Sequence, residues 1–439
     1  MTFYRSLRLF DSGQDNRRQM GKRDLPIRKS LWRNEGGNTL VLAALMFPLI
    51  VGSAGLAVDT TMWILTKRQI QQAADAAAIA GSYEAVQEGD VDYAVDKALA
   101  PTFAKIRDLS AQTTLTPDDR DGDPFAVGVR LTTLGSLPFS SMFLRRPITI
   151  SASATATVVE TGDFCALAMG SSAETGLRLQ PNTSVEAECG IATNSSASNA
   201  VSGHESSTMT VPKLLASGGI EGGAAMAGSR VRAYALKQKD PLASINPPEV
   251  PNTGCPNVTV NASSERQLTL KPGCYGNLII NGSVTLEPGN YILNRGNLVV
   301  GSSANVTCDG CSIFLTSEDA DADSGSIGRV RIDKAASMKL SAPTTGPYAG
   351  ILLFQDRRAG ADADDETNVI SGDQASKFEG AVYFPSQSLK MVGTGSSNFN
   401  CARIIGRRLI LEGQIFIAKS CSTDTGGIAL KGAEVRLVE

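Results

Sequence analysis

One apolar stretch near the beginning of the chain, Thr39 to Val58, constrains the fold more than any other feature of the sequence. None of its twenty residues is charged. An α-helix rises about 1.5 Å per residue, so a segment of this length crosses a hydrocarbon core of roughly 30 Å. The pattern predicts a transmembrane helix over residues 38–65, and most of the 439-residue chain then lies on one side of the membrane.

The flanks of this stretch predict its orientation. Residues 1–37 form a basic leader with nine Lys and Arg residues against four Asp and Glu residues. Because basic segments beside a transmembrane helix stay in the cytoplasm, we expect a cytoplasmic N-terminus and export of everything after Asp59. Asp59 is the predicted membrane boundary, and Trp63 is expected near the outer interface, where amphipathic aromatic rings are favoured.

A cleaved signal peptide is the competing interpretation of the same stretch. The small residues Gly55-Leu56-Ala57 offer a peptidase site behind a shorter apolar run. The length of the leader and the return of apolar residues at Met62 to Leu65 favour the anchor. Both interpretations export the bulk of the protein.

The eight cysteines all lie in the predicted exported part, where disulfides form. Sequence order suggests four bridges, although other pairings are open. The suggested pairs are Cys165 with Cys189, Cys255 with Cys274, Cys308 with Cys311, and Cys401 with Cys421. The Cys308-Asp-Gly-Cys311 spacing also suits zinc, but a structural site needs four ligands and the chain has one histidine, so a disulfide at a turn is favoured.

Beyond the apolar stretch the helix is expected to continue, because Ile64 to Glu88 is rich in Ala, Gln, Lys and Glu and lacks proline. Small apolar side chains recur there at helical spacing, and this face permits packing against a sheet or another helix. The packing candidates are Ala73, Ala74, Ala77 and Ala78. Asp90 is a candidate N-cap for a second helix, which Pro101 is expected to end.

Two strand patterns follow, at Phe125 to Leu134 and at Ile148 to Val158. In the second, apolar residues alternate with Thr and Ser, which is typical of a half-buried strand. Residues 66–160 therefore read as a pilin-like α+β domain, in which the long helix lies on a small antiparallel sheet.

The remainder is β-rich. We expect a β-rich segment over residues 161–230, a Pro-rich linker or loop over 231–254, and a repeat domain over 255–439. Leu270-Lys-Pro-Gly-Cys-Tyr275 recurs as Leu286-Glu-Pro-Gly-Asn-Tyr291, and Asn277-Leu-Ile-Ile280 recurs as Asn297-Leu-Val-Val300. Short repeats of strand and turn predict a parallel β-helix, since each coil buries its apolar side chains against the next. A β-sandwich of short strands is the alternative.

The segment Asn34 to Ala85 resembles the N-terminal domain of TadG-like Flp pilus-assembly proteins. The matching pieces are Glu35-Gly-Gly-Asn38, Val58-Asp59 and Gln71-Gln-Ala-Ala-Asp-Ala-Ala-Ala78. Less specifically, the surroundings of Cys165, Cys189 to Ser195, and Asp240-Pro-Leu are similar to the exported part of such proteins. The resemblance implies a component of the bacterial inner membrane that faces the periplasm and serves tight-adherence pili.

Two departures from related proteins limit what the resemblance implies. Some relatives carry a von Willebrand A domain with an Asp-x-Ser-x-Ser metal site, and this motif is absent from the sequence. A type IV prepilin has Glu five residues after its cleavage site, whereas the fifth residue counted from Asn38 is Leu42. Retention in the membrane is therefore favoured over incorporation as a major pilin.

Catalytic and metal-binding patterns are sparse. His204 in Gly-His-Glu-Ser is the one histidine available to a Ser/His pair, and an exposed loop residue is the favoured interpretation. Three acidic clusters suit Ca²⁺ by composition only, and solvated loops are favoured. They are Asp118 to Asp123, Glu318 to Asp323 and Asp362 to Glu366. Asp356, Arg357 and Arg358 fit a carbohydrate-active β-helix only by analogy of fold. We expect no enzyme activity, metal or cofactor.

Three functions follow, in order of preference. The first is a non-enzymatic, membrane-anchored assembly protein whose partners are the inner membrane and other pilus-assembly or pseudopilin subunits. The second is a β-solenoid adhesin that binds a surface glycan. The third is a carbohydrate-active enzyme. A net charge of −3 gives no reason to expect nucleic acid as a partner.

Overall fold

The computed structural model describes residues 37–115, 122–135, 137–143, 147–252, 254–262, 268–361, 368–399, 402–418 and 428–438. Several predicted features lie outside these residues: the basic leader up to residue 36, most of the first acidic cluster, all of the third, and the predicted Cys401–Cys421 pair. The chain divides into two compact units. One comprises residues up to Arg68 with Leu134–Ile150, and the other comprises Gln69–Thr133 with Ser151–Glu439.

The N-terminal helix, α1, runs without interruption from Gly37–Val86, which is 50 residues or about 75 Å. The predicted continuation of the apolar helix is therefore confirmed. Pro48 lies inside it. The second helix, α2, spans Val91–Phe103, and the Asp90 carboxylate accepts the Tyr93 N–H at its start, as predicted. Pro101 lies within its last turn and does not end it.

Strands make up most of the remaining described chain. The first eleven are β1 Ser110–Leu115, β2 Val127–Gly135, β3 Ile148–Ala168, β4 Leu177–Leu179, β5 Ser184–Ala187, β6 Gly190–Thr193, β7 Val201–Gly203, β8 Thr208–Thr210, β9 Leu214–Ala216, β10 Ile220–Glu221 and β11 Val231–Arg232. The next eight are β12 Val258–Val260, β13 Leu268–Leu270, β14 Gly273–Tyr275, β15 Leu278–Ile280, β16 Ser283–Leu286, β17 Gly289–Asn294, β18 Leu298–Val300 and β19 Asn305–Asp309. The last eight are β20 Cys311–Thr316, β21 Val330–Ile332, β22 Ser337–Ser341, β23 Ile351–Gln355, β24 Asn368–Ser371, β25 Lys377–Asn398, β26 Ala402–Ile417 and β27 Lys431–Leu437.

A small antiparallel sheet follows the two helices. β1 pairs antiparallel with β2, β2 also pairs with β3, and β27 pairs antiparallel with the middle of β3, residues 156–163. The predicted alternation along β3 is present, because Ile150, Ala152, Ala154 and Ala156 are buried while most residues between them are not. β3 continues beyond the predicted end at Val158 to Ala168, and its last residues leave this sheet to pair with parallel strands.

The other strands pair in parallel and form three ladders. The first ladder follows the order β12, β15, β18, β21, β24, β25, β26, β4, β7 and β10. The second follows β13, β16, β19, β22 and β25, and then β26, β5 and β8. The third follows β14, β17, β20, β23, β25, β26, β3, β6, β9 and β11. The chain thus has a large domain rich in parallel strands.

Strand β26 connects the two β-rich segments, residues 161–230 and 255–439, which the Pro-rich stretch separates in the sequence. It pairs with β25 on one side and with β3, β4 and β5 on the other. Leu409 lies opposite Leu177, for example, although 232 residues separate them. A single buried apolar cluster extends from Cys165 to Ile417 through both segments. Residues 161–230 and 255–439 therefore share one core.

The third ladder is buried on both faces. Alternate side chains of its strands, such as Ile313 and Leu315, enter the shared core, and the intervening ones form a second cluster. The second cluster contains a register column of seven residues, Phe314, Phe354, Tyr383, Ile405, Leu167, Ala192 and Leu215. Burial on both faces explains why these strands read as continuous apolar runs.

Residues 233–250, which we call the strap, cover this second cluster. Ala235 and Leu242 belong to the cluster, and Ile245 packs against it. This Pro-rich segment does not act as a linker between two separate domains, because it is fixed to the third ladder. Prolines suit a covering segment, since it has no ladder partner to which their missing N–H would donate.

A tight corner precedes the first ladder. The Asn257 side chain accepts the N–H of Asn277, and the Asn277 side chain accepts that of Asn297, at 2.6 and 2.9 Å. Beside this asparagine column, Gly276, Gly296 and Gly328 lie so close that a Cβ added to Gly296 would overlap the carbonyl oxygen of Gly276. The corner therefore requires glycine for close backbone approach.

Replacing Gly296 with alanine is expected to lower the free energy of unfolding by about 1–3 kcal/mol, the usual cost of forcing atoms into filled space. Gly254→Ala is the matched control, because a Cβ at Gly254 meets no atom within 4 Å. Urea unfolding of the full chain in detergent, followed by circular dichroism, measures both. Equal unfolding midpoints for the two variants would contradict the close packing of this corner.

Candidate functional site

The first half of α1 exposes its apolar side chains. Large residues between Leu40 and Val58 are 46 to 75% exposed, which is unlike the face of a helix in a soluble core. Among the described residues, α1 is the one helix long and apolar enough to cross a membrane. Its side-chain hydroxyls are satisfied internally, since Ser53, Thr60 and Thr61 donate to the carbonyl oxygens of Ile50, Leu56 and Ala57.

Asp59, the predicted membrane boundary, is buried rather than solvated, with 2% of its surface exposed. Its carboxylate accepts the backbone N–H of Phe139, at 3.1 Å, and that of Ser140. These amides begin a 3₁₀ turn, Ser140–Met142. The Phe139 ring lies against Gly55, where any Cβ would overlap it. Sequence reasoning missed Gly55, Phe139 and Ser140, because their partner lies about 80 residues away. Trp63, one turn beyond Asp59, is 42% exposed.

The second half of α1 is covered by the chain itself. Ala73, Ala74, Ala77 and Ala78 are at most 7% exposed. On the same half of the helix, Gln71 donates to the Ser153 carbonyl oxygen and Ser82 to that of Phe125, both at 2.9 Å. The sequence left a sheet or another helix as the partner of this face. The structure covers this face within the chain, which leaves it no exposed alanine for helices of other subunits.

Three of the suggested cysteine pairs are joined in the structure. The Cα–Cα distances are 5.6 Å for Cys165–Cys189, 4.9 Å for Cys255–Cys274 and 6.0 Å for Cys308–Cys311. Each pair lies at most 24 residues apart in sequence, so the bridges tie local segments together.

The catalytic candidates are engaged in local structure. His204 is exposed, and its Nδ1 accepts the Ser206 N–H at 3.2 Å within a turn. In the second acidic cluster, Arg295 pairs with Glu318 and Asp319, and Arg358 pairs with Asp321. Within the described ranges, no group of three or more His, Cys, Asp or Glu side chains could hold a metal ion.

Arg357 holds the strap in place. Its guanidinium donates to the carbonyl oxygens of Leu242, Ala243 and Ile245 at 2.5 to 3.1 Å. Tyr383 donates to the Asp240 carboxylate at 2.7 Å. This use of Arg357 and Asp240 gives both residues a structural explanation.

A second fixing point lies at Asn194. Its side-chain amide donates to the carbonyl oxygen of Gln238 and accepts the N–H of the same residue. Gln238 in turn accepts the N–H of Ala433 at 2.6 Å. The strap is thus bound to Asn194, which follows β6 of the third ladder, and to Ala433 in β27.

Asp356 and Arg358 form a partly buried ion pair beside the strap. Asp356 is 1% exposed and Arg358 is 40% exposed, and their closest atoms are 2.6 Å apart. Burial alone would raise the pKa of Asp356, but hydrogen bonds from Arg358 and Thr316 outweigh it and keep this pKa below its ordinary value. The carboxylate is therefore charged at neutral pH and held in place.

The outer face of the second ladder carries an open groove of about 560 Å³. Successive strands place Thr285, Thr307, Lys339 and Lys377 in one register column along it. Asp309 and Glu379 line a parallel column, and Ser341 between them donates to Asp309 at 2.6 Å. The groove thus combines rows of hydroxyl, ammonium and carboxylate groups with an apolar lining that includes Leu286, Pro288 and Leu340.

Neither the curated proteins nor the solved structures include one that is significantly similar to this chain. One family model matches, and it covers the apolar half of α1, the buried alanines and the turn that leads into α2. The resemblance noted in the sequence is confirmed: residues 37–90 match the family described as putative Flp pilus-assembly TadE/G-like.

Proposed function

We propose that this protein is a non-enzymatic, membrane-anchored component of a Flp tight-adherence pilus assembly system. One observation supports this proposal above all: the matched segment coincides with α1. The side chains of α1 are apolar and exposed before Asp59, and its alanine face is buried by the chain beyond Gln69. In this proposal α1 crosses the bacterial inner membrane once, with the basic leader in the cytoplasm and the strand-rich domain in the periplasm.

The strand-rich domain is, in the same proposal, a parallel β-helix. Three parallel ladders, a shared apolar core and corners closed by stacked asparagine and glycine support this architecture. Such a stack is rigid because every rung hydrogen-bonds to its neighbours. We infer that it serves as a platform for other pilus-assembly or pseudopilin subunits.

A non-enzymatic role is supported by the hydrogen bonds and ion pairs that the candidate catalytic side chains already make within the fold. Arg357 holds the strap, Arg358 neutralises Asp356, and His204 accepts a hydrogen bond within a turn. Each of these side chains has a structural partner that accounts for its position.

A deletion strain tests the proposal. Complementation with the wild-type gene is expected to restore pili, as counted by electron microscopy, and to return the protein to the inner-membrane fraction. Complementation with Leu45→Arg/Leu49→Arg is expected to fail, because each charge near the middle of the span costs about 2.5–3.5 kcal/mol in insertion. The matched control, Val231→Arg, places the same charge on a residue that is 44% exposed in the strand-rich domain.

Two reporters test the orientation in the same strain. Alkaline phosphatase fused after Gly89 is expected to be active, since this enzyme matures only outside the cytoplasm, and a fluorescent protein fused at the N-terminus is expected to fluoresce inside. Unaltered piliation in the deletion strain would refute the assembly role. An inactive phosphatase would refute the orientation alone.

The groove on the second ladder favours a second candidate function, the binding of a surface glycan. Lys339 and Lys377 stand on neighbouring strands, about 4.8 Å apart, so they can follow an extended acidic chain. The variant Lys339→Ala/Lys377→Ala is expected to lose retention on an immobilised acidic polysaccharide, whereas Lys334→Ala, outside the groove, is expected to keep it. Equal retention of the wild type and both variants would exclude this role.

A further inference from the structure

A short apolar turn is docked against α1 at the end of its apolar half. Within residues 137–143, Met142 and Phe143 are 77 and 73% exposed, the highest values among the large apolar residues of this unit apart from Leu40. The Phe143 ring contacts that of Phe139 at 5.4 Å between centroids. Both exposed side chains therefore project from a rigid support rather than from a free loop.

The docking fixes the level of the turn along the helix. Phe139 packs on Gly55, and its N–H and that of Ser140 are bound by Asp59. Gly55 and Asp59 are four residues apart, so they lie on one face of α1 and a single turn from each other. Gly55 belongs to the uncharged stretch that ends at Val58. The turn thus lies beside the last turn of the membrane-length segment.

Polar groups at this level are satisfied by the chain itself. Asp59 is buried and accepts two backbone amides, and Thr60 and Thr61 donate to helix carbonyl oxygens. The Ser141 hydroxyl donates to the carbonyl oxygen of Pro138 at 3.0 Å. Internal satisfaction is what a lipid environment demands, because hydrocarbon offers no hydrogen-bonding partner. A surface that faces water does not require it.

We propose that this turn is a second membrane contact, in which Met142 and Phe143 enter the interfacial region of the leaflet where α1 leaves the bilayer. The inference rests on the proposed function, since it requires α1 to span the membrane. A lipid occupant is favoured because the turn is docked at Gly55 and Asp59, and the apolar residues Leu56 and Val58 between these two positions are 55 and 52% exposed. The contact would fix α1 against rotation and tilt.

Tryptophan placed at three positions tests this inference. The two native tryptophans, Trp32 and Trp63, are replaced by phenylalanine, and Phe143→Trp, Leu49→Trp or Tyr234→Trp is then introduced singly. The full chain is placed in nanodiscs of phosphatidylethanolamine and phosphatidylglycerol whose acyl chains are brominated either near the headgroup or near the chain end. Leu49→Trp reports on the span. Tyr234→Trp, on the strap at a residue that is 73% exposed, serves as the reference in water.

Lipid insertion of the turn predicts that shallow bromine quenches the Phe143→Trp variant by at least half, while deep bromine quenches it weakly. The Leu49→Trp variant is expected to be quenched strongly by deep bromine, and the Tyr234→Trp variant by aqueous acrylamide alone.

Two outcomes would overturn the inference. If Phe143→Trp behaves like Tyr234→Trp, the turn lies in water. If the Phe143→Trp fluorescence escapes both bromine and acrylamide, a protein such as a second copy of this chain covers the turn. Loss of bromine quenching in Leu49→Trp would instead refute the proposed membrane span, so the two failures are distinguishable.

Discussion

Replacing Phe354 with alanine is expected to lower the free energy of unfolding by about 3–5 kcal/mol. Phe354 is fully buried in the second cluster, between Phe314 at 5.9 Å and Tyr383 at 4.7 Å, measured between ring centroids. Its neighbours belong to adjacent strands of a hydrogen-bonded ladder, so they cannot close the cavity. Chemical unfolding of the full chain in detergent measures the loss.

Phe103→Ala is the control for this substitution, because it removes the same ring from a site that is 41% exposed. Its expected cost is well below that of Phe354→Ala. A second readout is limited proteolysis of the strap, which loses part of its apolar support when the ring is removed. Equal destabilisation by the two variants would mean that the strap does not seal this cluster.

Replacing Arg358 with methionine is also expected to lower the free energy of unfolding by several kcal/mol. It leaves the Asp356 carboxylate buried without its cation, and removing one partner of a buried ion pair costs about 3–5 kcal/mol. Because Arg358 is 40% exposed, water already screens part of the attraction, and we expect the lower end, about 3 kcal/mol at neutral pH. Arg331→Met, which changes an exposed arginine of β21, is expected to cost about 0.5 kcal/mol or less.

The pH dependence of this variant has a definite sign. In the wild type the pKa of Asp356 is lowered by folding, so its contribution is present above the unfolded pKa and is lost as the pH falls through the folded pKa. Without Arg358, the cost of burying a charge raises the pKa of Asp356 in the folded variant. As the pH falls, protonation of Asp356 then removes this cost and lessens the destabilisation of the variant. The stability difference between wild type and variant is therefore expected to narrow from neutral pH towards acid. A difference that grows in acid would contradict this role for Asp356.

The sequence allowed accurate prediction where the determinants are local. The uncharged run and the alanine-rich segment predict one long helix, and α1 is continuous. The repeat at Asn277 and Asn297 matches the first ladder, where Leu278 lies opposite Leu298. The other repeat predicts Leu270 opposite Leu286, which is also found, but it places Tyr275 opposite Tyr291, whereas Tyr275 faces Leu293. A turn of different length between the two strands shifts the register by two residues.

Long-range determinants could not be predicted in this way. Nothing local indicates that β26 pairs with β4, or that a Pro-rich segment lies on an aromatic column. The apolar run before Asp59 and the alanine-rich segment after it predict Asp59 as the boundary where lipid ends and protein packing begins. Its true partners are backbone amides, which have no sequence signature. Asn194 and Asp240 were noted for their motifs, and in the structure both residues hold the strap.

The position of β26 also determines the order in which the molecule can fold. Strands β3, β4 and β5 form one boundary of the earlier half of the parallel strands, and their partners, residues 404–417, follow them by more than 200 residues in sequence. A ribosome therefore adds more than 200 residues after β5 before that boundary can close. Until then the exposed strand edges resemble those on which chains aggregate. A chaperone that covers these edges would matter more for this protein than for one whose paired strands follow each other in sequence.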